Sequence, residues 1–511
     1  MLLLGDFGTN AASTVISTKS PGFASDNYYS DVTGDNLPDI AFARIAANND
    51  AQLKVMCTKF LSYERNPPTD AAFYDKPLSA VGWQDDRWYQ LGVEIVGGFM
   101  KSINKHPVRV NNPSSPADNT GGNTAGAGNW STTNATTIVN YFGDNGLKYI
   151  PNKPGTLGGF TGGTAAQINT AISDGAFIAF HRDHGLYAGW HRPSYQNTNL
   201  TSLKNVNNKL PFVFSINCNT GEYQTGTDCF AEKFHRYTYN GQNSGALGVI
   251  APSEVSYSFV NDVFLWGIMD NMWPNFMPAM GSSPASRDMR PTFASVAGQY
   301  FLSQSSWVGS GSKKVTYQLY HTFAEAFQWF YSEVPKNLTV VHPAVFTQGA
   351  TSFSVQADAG SFIAITTPSP TGPIILGTAT GTGSPLSITL ASSSATQVLV
   401  TVTKQNYFRY SRTVGLTTSI GDVAADQAQF NCFPNPFSGS TTFYYTLNGA
   451  GAVNLSIYNM LGEKVATVVD EVQAGGKQAV EFSNKQLAAG VYTCRLLTPS
   501  GMTVKQVVIN E

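Results

Sequence analysis

The sequence carries little charge for its length. Of its 511 residues only 13% are charged, and 31 Lys and Arg nearly balance 33 Asp and Glu, which leaves a net charge of −2 at pH 7. A protein that grips a nucleic-acid backbone needs an excess of cationic side chains to neutralise phosphates. The composition therefore argues against nucleic acid as a partner.

Long apolar runs are also missing from the sequence. No stretch approaches the roughly 20 apolar residues that a transmembrane helix requires, so we expect no transmembrane segment. Residues 1–6 lack the basic start and the apolar length of a signal peptide. Their pattern instead predicts a buried β-strand.

Cysteine is scarce, with five residues in the whole chain: Cys57, Cys218, Cys229, Cys432 and Cys494. This number is too small for a dense disulfide framework, and an odd count leaves at least one thiol unpaired if the protein is secreted. Whether Cys432 and Cys494 pair stays open. A free thiol raises the question of a catalytic nucleophile.

Apolar residues are plentiful, at 42% of the chain, and the length leaves room for about three domains. Residues 1–332 alternate short apolar runs with amphipathic stretches. This pattern predicts an α/β domain with a mostly parallel sheet flanked by helices. The predicted strands are 39–43, 77–82, 147–151, 176–180, 211–216 and 246–251, and the predicted helices include 50–64, one that follows a capping box at Thr164 and Gln167, and one that begins after Asp228.

The pattern changes after residue 332. Residues 333–418 have β-type alternation and Gly-rich turns, which predict a small sandwich of immunoglobulin-like size. A linker at 419–429 precedes a third unit at 430–511, where strands are predicted at 441–447, 453–458, 490–497 and 502–509. The Gly- and Asn-rich tract at 111–128 is predicted to be a surface insertion.

Two of the predicted strands end in reactive side chains. His184 follows the apolar strand at 176–180, and Cys218 follows the strand at 211–216. If these strands are parallel neighbours, both side chains emerge at the same edge of the sheet, where ligands bind in open α/β folds. Imidazole can take the proton of a thiol, and the thiolate can attack a carbonyl. A buried structural thiol is the other interpretation of a lone cysteine, and His181, His191 and His235 offer alternative imidazoles.

Several segments around these two residues have a distinctive order and spacing. They are the pair His184-Gly185, Trp190, residues 208–221 around Cys218, residues 229–232 and residues 245–251. In this order they resemble the gingipain family of cysteine peptidases, which share a caspase-like α/β fold with caspases and legumains. The resemblance covers most of residues 1–330.

The resemblance implies a role for individual residues. Cys218 and His184 match the catalytic dyad of the family, and the backbone N–H groups of Gly185 and Cys218 match its oxyanion hole. An acidic residue at the end of an earlier strand often orients the histidine. Asp85, ahead of Asp86, is the candidate here, and a surface-loop position is the alternative for both carboxylates.

The resemblance also locates the primary substrate pocket. Its walls are expected to include Arg182, Ile216 and Tyr257. The best-known members prefer Arg or Lys before the scissile bond, but the acidic pocket residue behind that preference has no identifiable match. Arg182 would repel a basic side chain if it faced the pocket unpaired, and Asp183 is a candidate to neutralise it. A basic specificity is therefore not implied.

A loop near the N-terminus has the spacing of a calcium site. Asp31, Thr33, Asp35 and Asp39 place oxygen atoms at positions 1, 3, 5 and 9 around a Gly turn, as in known Ca²⁺ loops. Thr33 replaces a usual carboxylate, and no acidic residue stands at position 12. A structural calcium ion and a simple Asx turn both remain interpretations; the thiol chemistry itself requires no cofactor.

The C-terminal unit has its own motifs, at residues 433–437, 441–447, 455–463 and 487–492. These resemble the sorting domain of the type IX (Por) secretion system of Gram-negative bacteria. The resemblance implies that the secretion machinery is a partner and that the protein lies outside the cell or on the outer-membrane surface. Gingipains have further segments before the one that matches residues 2–6, so the peptidase domain at 1–332 is expected to be N-terminally incomplete.

Two functions of different classes follow from these observations. The first is a secreted cysteine endopeptidase that hydrolyses protein or peptide substrates through a thioester acyl-enzyme. The second is a catalytically inactive, adhesin-like surface protein that uses the peptidase scaffold as a binding platform.

Overall fold

The computed structural model describes residues 1–7, 23–112, 128–225, 227–280, 288–392, 394–416, 430–447, 449–459, 463–484, 487–499 and 501–510. Most of the predicted insertion at 111–128 and the whole predicted linker at 419–429 lie outside these ranges. The chain divides into two units. One comprises Met1–Asn337 with Lys404–Arg409, and the other comprises Leu338–Thr403 with Tyr410–Glu511.

The first unit contains the strands β1 (Leu2–Leu4), β2 (Ala43–Ile45), β3 (Leu78–Val81), β4 (Val108–Asn111), β5 (Ile178–Arg182), β6 (Gly185–Leu186), β7 (Gly189–Trp190), β8 (Tyr195–Gln196), β9 (Phe212–Ile216), β10 (Thr238–Tyr239), β11 (Gln242–Asn243), β12 (Gly248–Pro252) and β13 (Tyr320–Phe323). Eight of them form one sheet in the order β1-β2-β13-β12-β9-β5-β3-β4. All neighbours in this sheet are parallel except β12 and β13.

Helices accompany this sheet: α1 (Asn27–Ser30), α2 (Asp50–Arg65), α3 (Ala71–Asp75), α4 (Tyr89–Ser102), α5 (Thr136–Phe142), α6 (Ala165–Gly175), α7 (Asn197–Leu200), α8 (Phe230–Arg236), α9 (Val260–Met272), α10 (Pro291–Gln304) and α11 (Lys313–Leu319). Local chemistry sets several starts. The Asn49 side chain accepts from the Gln52 amide and caps α2. Thr164 and Gln167 form the predicted capping box of α6. None of the described helices has the length and apolarity to cross a membrane.

Helix α9 is buried on all sides, which is unusual for a helix of a single globular unit. Every residue from Val260 to Met272 is shielded from solvent, including the polar Asp262, Asp270 and Asn271. The helix packs against α4 and α10, and the indole of Trp266 donates to the carbonyl of Gly92 at 2.9 Å. A helix that is enclosed on all sides is held firmly by its neighbours. Its first residues, Val260 and Asn261, line the cavity described below.

The α/β class is confirmed, and one predicted strand is wrong. Residues 147–151 are apolar but form a turn, because their amide groups bond back to the end of α5: Leu147 N–H donates to the Tyr141 carbonyl and Tyr149 N–H to that of Phe142, both at 2.9 Å. The edge strand is instead β4, whose short and partly polar sequence carries little β pattern. The predicted strand at 39–43 begins later, as β2.

The described residues of the second unit form β-strands and no helix. Its strands are β14 (Val340–Val341), β15 (Ser352–Ala357), β16 (Phe362–Thr367), β17 (Ile374–Thr380), β18 (Leu386–Thr389), β19 (Gln397–Thr403), β20 (Tyr410–Gly415), β21 (Asn431–Phe433), β22 (Ser440–Leu447), β23 (Gly451–Tyr458), β24 (Lys464–Gln473), β25 (Gly476–Ser483), β26 (Gly490–Thr498) and β27 (Gly501–Ile509). They form four antiparallel sheets, β14-β15-β18, β17-β16-β19-β20, β21-β22-β25 and β24-β23-β26-β27. Alternate side chains along these strands face inward. Val398, Val400 and Val402 of β19 belong to one apolar core, and Phe443, Leu455 and Val507 belong to a second one.

Two adjacent glycines of α4 provide a matched test of how tightly the first unit packs. A Cβ at Gly98 would lie 1.8 Å from the Tyr149 carbonyl oxygen, whereas one at Gly97 would meet nothing closer than a Glu94 carboxylate oxygen at 3.9 Å. We expect Gly98→Ala to lower the free energy of unfolding by about 2 kcal/mol or more through overpacking. We expect Gly97→Ala to raise it by up to about 1 kcal/mol.

Urea unfolding followed by tryptophan fluorescence measures both variants, since all eight tryptophans lie within residues 83–329 and report on this unit. Equal midpoints for the two variants would contradict the close packing of α4 on the turn at 147–150.

Candidate active site

The site begins with the pairing of two central strands. β5 and β9 are parallel neighbours, with Arg182 opposite Ile216 at their carboxyl ends. His184 and Cys218 each lie two residues beyond that pair. Because the strands run in the same direction and in this register, both residues leave the sheet at the same edge.

The backbone after each strand brings the two segments into contact. A Cβ at Gly185 would lie 2.2 Å from the Cys218 carbonyl oxygen and 2.7 Å from the Asn217 side chain. Only glycine permits this approach. His184 and Cys218, both partly exposed, line one cavity of about 640 Å³.

The Cys218 sulfur lies beside the segment that leads into α9. The backbone N–H of Ser256 points to Sγ at 3.4 Å, and the Ser256 hydroxyl and carbonyl oxygens lie 3.8 and 3.7 Å from it. Asn261 holds that hydroxyl by donating to it at 2.6 Å. These contacts fix the position of the sulfur at the cavity wall.

A buried polar network fixes the turn that carries Cys218. The Asn217 amide donates to His181 Nδ1 at 2.7 Å and to the Ser215 hydroxyl at 2.8 Å, while the Thr220 hydroxyl donates to Asn217 Oδ1 at 2.6 Å. The Trp190 indole donates to the same Ser215 hydroxyl at 2.9 Å. Because all of these groups are buried and bonded, the turn has little freedom to rotate.

Two side chains hold the Nε2 edge of the His184 ring. Its Nε2 lies 2.9 Å from Gln84 Oε1 and 3.3 Å from the Tyr89 hydroxyl. Partial burial lowers the pKa of His184, and the neighbouring His191 also lowers it, while Asp183 acts in the opposite direction. The ring is therefore mainly neutral near pH 7, as a proton acceptor needs to be.

The predicted orienting acid does not contact this ring in the structure. Asp85 Oδ1 accepts from the Trp83 indole at 2.8 Å, so the Asp85 carboxylate is committed to its own loop. Its neighbour Gln84 approaches His184 instead. Asp86 accepts from the Gln84 amide at 2.9 Å and pairs with Arg87 at 2.8 Å.

The other histidines named from the sequence have different surroundings. His181 is fully buried, stacks on Trp190 with ring centroids 4.5 Å apart, and has its pKa lowered to about 3 by burial. His235 is buried beside Lys59. His191 lies 5.9 Å from His184, ring to ring, and 3.6 Å from Asp183.

Two of the three predicted pocket residues line the cavity. Arg182 does so as a buried side chain, but its guanidinium bonds both carboxylate oxygens of Asp262 at 2.9 Å and lies 4.4 Å from the centre of the Tyr89 ring. Asp262 therefore supplies the counter-charge of Arg182. Tyr257 lines the cavity with its side chain 44% exposed. Ile216 is fully buried and lies outside the lining.

A profile of peptidase family C25 matches residues 1–311, which is more than half of the chain. The chain belongs to peptidase family C25. We refer to residues 1–311 as the C25 domain. A second profile, that of a secretion system C-terminal sorting domain, matches residues 431–510.

Curated relatives agree with this assignment. The chain is 23% identical to gingipain R2 of Porphyromonas gingivalis over 497 residues, which cover 96% of this chain and 57% of the relative. It is 24% identical to Lys-gingipain HG66 of Porphyromonas gingivalis over 66% of this chain and 18% of that protein. The chain thus spans a little over half of the length of gingipain R2.

The fold has close counterparts among solved structures. The crystal structure of the Arg-specific cysteine proteinase gingipain R superposes with a TM-score of 0.63 at 17% identity, covering 81% of this chain and 83% of that one. A complex of the pro- and mature domains of a Porphyromonas gingivalis gingipain superposes with a TM-score of 0.62 at 19% identity, covering 81% and 85%. At this identity the comparison establishes the fold. The sorting domain supports an extracellular or cell-surface location.

The predicted calcium loop of the C25 domain is closed by its own backbone. Asp31 accepts from the amides of Gly34 and Asn36, and Asp39 accepts from those of Val32 and Thr33. Asp35 accepts from the Leu37 amide, two residues on, which is the bond of an Asx turn. Asp31, Asp35 and Asp39 do not belong to the group of described carboxylates that lie within 4.8 Å of one another. Calcium binding by this loop stays a prediction.

One acidic cluster does converge within the described part of the chain. The carboxylates of Asp6, Asp228 and Glu232 lie within 4.8 Å of one another. Arg236 sits among them and pairs with all three. An arginine already supplies the positive charge at this place, so the cluster is a structural ion-pair network.

Sequence reasoning missed three residues that contact His184 or Cys218: Gln84, Tyr89 and Ser256. Gln84 is nearer to β3 than Asp85, but the resemblance implies a carboxylate at this place and Gln84 is an amide. Tyr89 is the first residue of α4 and Ser256 lies in the loop before α9. No spacing in the sequence connects them to His184 or Cys218. For Gln84 the available signal was its position as the first hydrogen-bonding side chain beyond β3.

The buried pair of Arg182 and Asp262 gives a stability test. Asp262→Ala leaves a buried guanidinium without its counter-charge, so we expect it to lower the free energy of unfolding of the C25 domain by about 3–5 kcal/mol. The double variant Arg182→Met/Asp262→Leu removes both charges. Its free energy of unfolding is expected to fall markedly less than that of Asp262→Ala. Urea unfolding followed by tryptophan fluorescence measures this; a double variant as unstable as Asp262→Ala would argue against an ion-pair origin.

Proposed function

We propose that this chain is a cysteine endopeptidase in which Cys218 is the nucleophile and His184 exchanges its proton. The observation that carries the proposal is the placement of both side chains in one cavity, at the carboxyl ends of the adjacent parallel strands β5 and β9. Membership of family C25 supports it. The site contains the two groups that acyl transfer by a thiolate requires.

The chemistry proceeds in two stages. His184 takes the Cys218 proton, and the thiolate attacks the substrate carbonyl to form a tetrahedral oxyanion. Collapse of this intermediate breaks the C–N bond, and the amine leaves with a proton from His184, so that a thioester remains on Cys218. Water, deprotonated by His184, then hydrolyses the thioester and restores the thiol.

Backbone amides are suited to hold the oxyanion. The N–H groups of Gly185 and Cys218 belong to segments in direct contact, as the short distance from Gly185 to the Cys218 carbonyl requires. Such donors are already in position and need no side-chain rearrangement during the reaction. This assignment also accounts for glycine at position 185.

The alternative is an inactive binding protein on the same scaffold. The two functions differ in the reactivity of one thiol. A peptidyl chloromethyl ketone alkylates a thiolate that lies beside an oxyanion hole far faster than an ordinary thiol. We expect one equivalent to be incorporated at neutral pH and to be found on Cys218 by peptide mapping.

Two variants control this labelling experiment. Cys218→Ala should abolish both labelling and hydrolysis while keeping the unfolding midpoint. Cys57→Ala removes another partly exposed thiol, on α2, and should leave both unchanged. Peptide hydrolysis by Cys218→Ala at the rate of the unaltered chain would refute the nucleophile, and a fully folded chain with no labelling at all would favour the binding protein.

The cavity walls bear on the substrate. Its aromatic lining residues are Trp88, Tyr89, Tyr257, Phe259 and Trp307. The Trp88 and Phe259 rings pack edge to face, with centroids 4.9 Å apart, so this wall is continuous with the apolar core. Among the described lining residues the one carboxylate is that of Asp183, which is buried, whereas two arginines, Arg87 and Arg182, line the same cavity.

We therefore propose that apolar or aromatic side chains, and not Arg or Lys, precede the bond that is cleaved. An apolar side chain gains free energy by burial against aromatic walls. A cation would lose its hydration there, and the one carboxylate among the described lining residues is that of Asp183. Among the relatives, gingipain R is described as Arg-specific, so this preference would distinguish the present chain.

A library of fluorogenic peptides varied at the residue before the cleaved bond tests the preference. We expect kcat/KM for Phe, Tyr or Leu to exceed that for Arg or Lys by about tenfold or more. Tyr257→Ala should reduce the advantage of aromatic over small side chains. Preferential cleavage after Arg or Lys would overturn the specificity and leave the endopeptidase proposal standing.

A further inference from the structure

Gln84 is uncharged, and both the oxygen and the nitrogen of its side-chain amide make hydrogen bonds. Its Oε1 lies 2.9 Å from His184 Nε2, and its Nε2 donates to Asp86 Oδ1 at 2.9 Å. We infer that Gln84 is the positioning residue of the dyad, selecting the His184 tautomer whose Nδ1 lone pair serves Cys218. The inference rests on the proposed function for the role of His184, but its main test is independent of turnover.

The orientation of the amide follows from the chemistry of its partners. An ionised carboxylate such as Asp86 accepts hydrogen bonds and donates none, so the amide group facing Asp86 must be the NH₂. The carbonyl oxygen of Gln84 then faces His184. Arg87 anchors the arrangement by donating to the other oxygen of Asp86 at 2.8 Å.

The tautomer of His184 follows in turn. An amide oxygen only accepts, so the nitrogen 2.9 Å from it must carry hydrogen. Neutral imidazole has one N–H, and with that hydrogen on Nε2 the lone pair is on Nδ1. Nδ1 is then the basic nitrogen that can take the thiol proton. The Tyr89 hydroxyl, 3.3 Å from Nε2, lies on the same side of the ring.

A neutral acceptor also sets how readily His184 becomes charged. The charged and titratable groups around the ring are Asp183, which favours the imidazolium, His191, Arg182 and Arg87, which disfavour it, the Tyr89 hydroxyl and the Cys218 thiol. Gln84 adds no charge to this set. The pKa of His184 is consequently lowered by burial without compensation from the residue that orients it.

Replacing Gln84 by glutamate changes the charge while keeping the shape. An anionic oxygen about 3 Å from Nε2 stabilises the imidazolium, so the pKa of His184 rises and its titration midpoint moves to higher pH. A carboxylate at this distance is expected to raise the midpoint by about one pH unit or more. The introduced carboxylate cannot donate to Asp86 as the amide does, which is why the His184 titration is measured directly.

The titration is followed by NMR of ring-labelled histidine in the full chain, in a Cys218→Ala background that removes coupling to the thiol. We expect Gln84→Glu to raise the His184 midpoint by about one unit or more and to keep the Nε2–H tautomer. Asp85→Asn is the discriminating variant, since Asp85 is the acid predicted from the sequence. An unchanged midpoint in Gln84→Glu, or a lower midpoint in Asp85→Asn of the size expected for removing an orienting acid, would overturn the inference.

Kinetics with Cys218 intact provide the second readout. Gln84→Ala removes the acceptor and frees the ring, so kcat is expected to fall about tenfold or more while KM changes less than about twofold. In Asp86→Asn the side chain at position 86 can donate as well as accept, so it no longer fixes the orientation of the Gln84 amide. We expect kcat of this variant to lie between those of the unaltered chain and Gln84→Ala. Wild-type kcat in Gln84→Ala, with the fold intact by tryptophan fluorescence, would contradict the positioning role. A chain that hydrolyses no peptide and is not labelled at Cys218 would instead refute the proposed function, whatever the NMR titration shows.

Discussion

The parallel pairing of β5 with β9 is the constraint on which the rest of the site depends. It sets Arg182 opposite Ile216, and His184 and Cys218 each follow two residues later along the chain. A shift of one residue in this register would move one of them to the other face of the sheet. Both strands are fully buried in the centre of an eight-stranded sheet, so the apolar core specifies the register strongly.

Buried polar groups at the carboxyl ends of β5 and β9 make the positions of His184 and Cys218 rigid. Asn217, immediately before Cys218, is tied to His181 and to neighbouring hydroxyls, and Arg182, two residues before His184, is tied to Asp262 on α9. Each strand end therefore has its own buried anchor. Such networks stabilise one arrangement because breaking any member leaves an unsatisfied polar group in a region that excludes water. Helix α9 belongs to this network through Asp262, and its residues Val260 and Asn261 line the cavity.

Much of this architecture is predictable from the sequence, for reasons that particular elements illustrate. The strands β5, β9 and β12 are continuous apolar runs, and the boundaries of β19 and of the C-terminal strands follow clear alternation. The apolar run at 147–151 has the pattern of a strand but is not one, because its amides bond to the end of a helix, which periodicity cannot reveal. β4 was missed because an edge strand needs few apolar residues.

The site was predictable only in part, and the reason is geometric. His184 and Cys218 lie at the ends of recognisable strands, so topology alone suggests that they meet. The ion-pair partner of Arg182 is Asp262, 80 residues away in sequence, whereas proximity in the sequence points to the adjacent Asp183. An amide oxygen can accept a hydrogen bond from an imidazole as a carboxylate does. Because Gln84 is uncharged, its sequence context does not mark it as a partner of a histidine.

The central claim is that the Cys218 sulfur and the His184 imidazole face each other across one cavity, and bifunctional alkylation tests it most directly. 1,3-Dibromoacetone reacts first with a nucleophilic thiol and then with a nitrogen base within its short reach. Digestion and mass spectrometry of the treated chain should yield a single cross-linked peptide pair that joins Cys218 to His184. Alkylation of Cys218 with no cross-link, or a cross-link to His191 instead, would contradict the account.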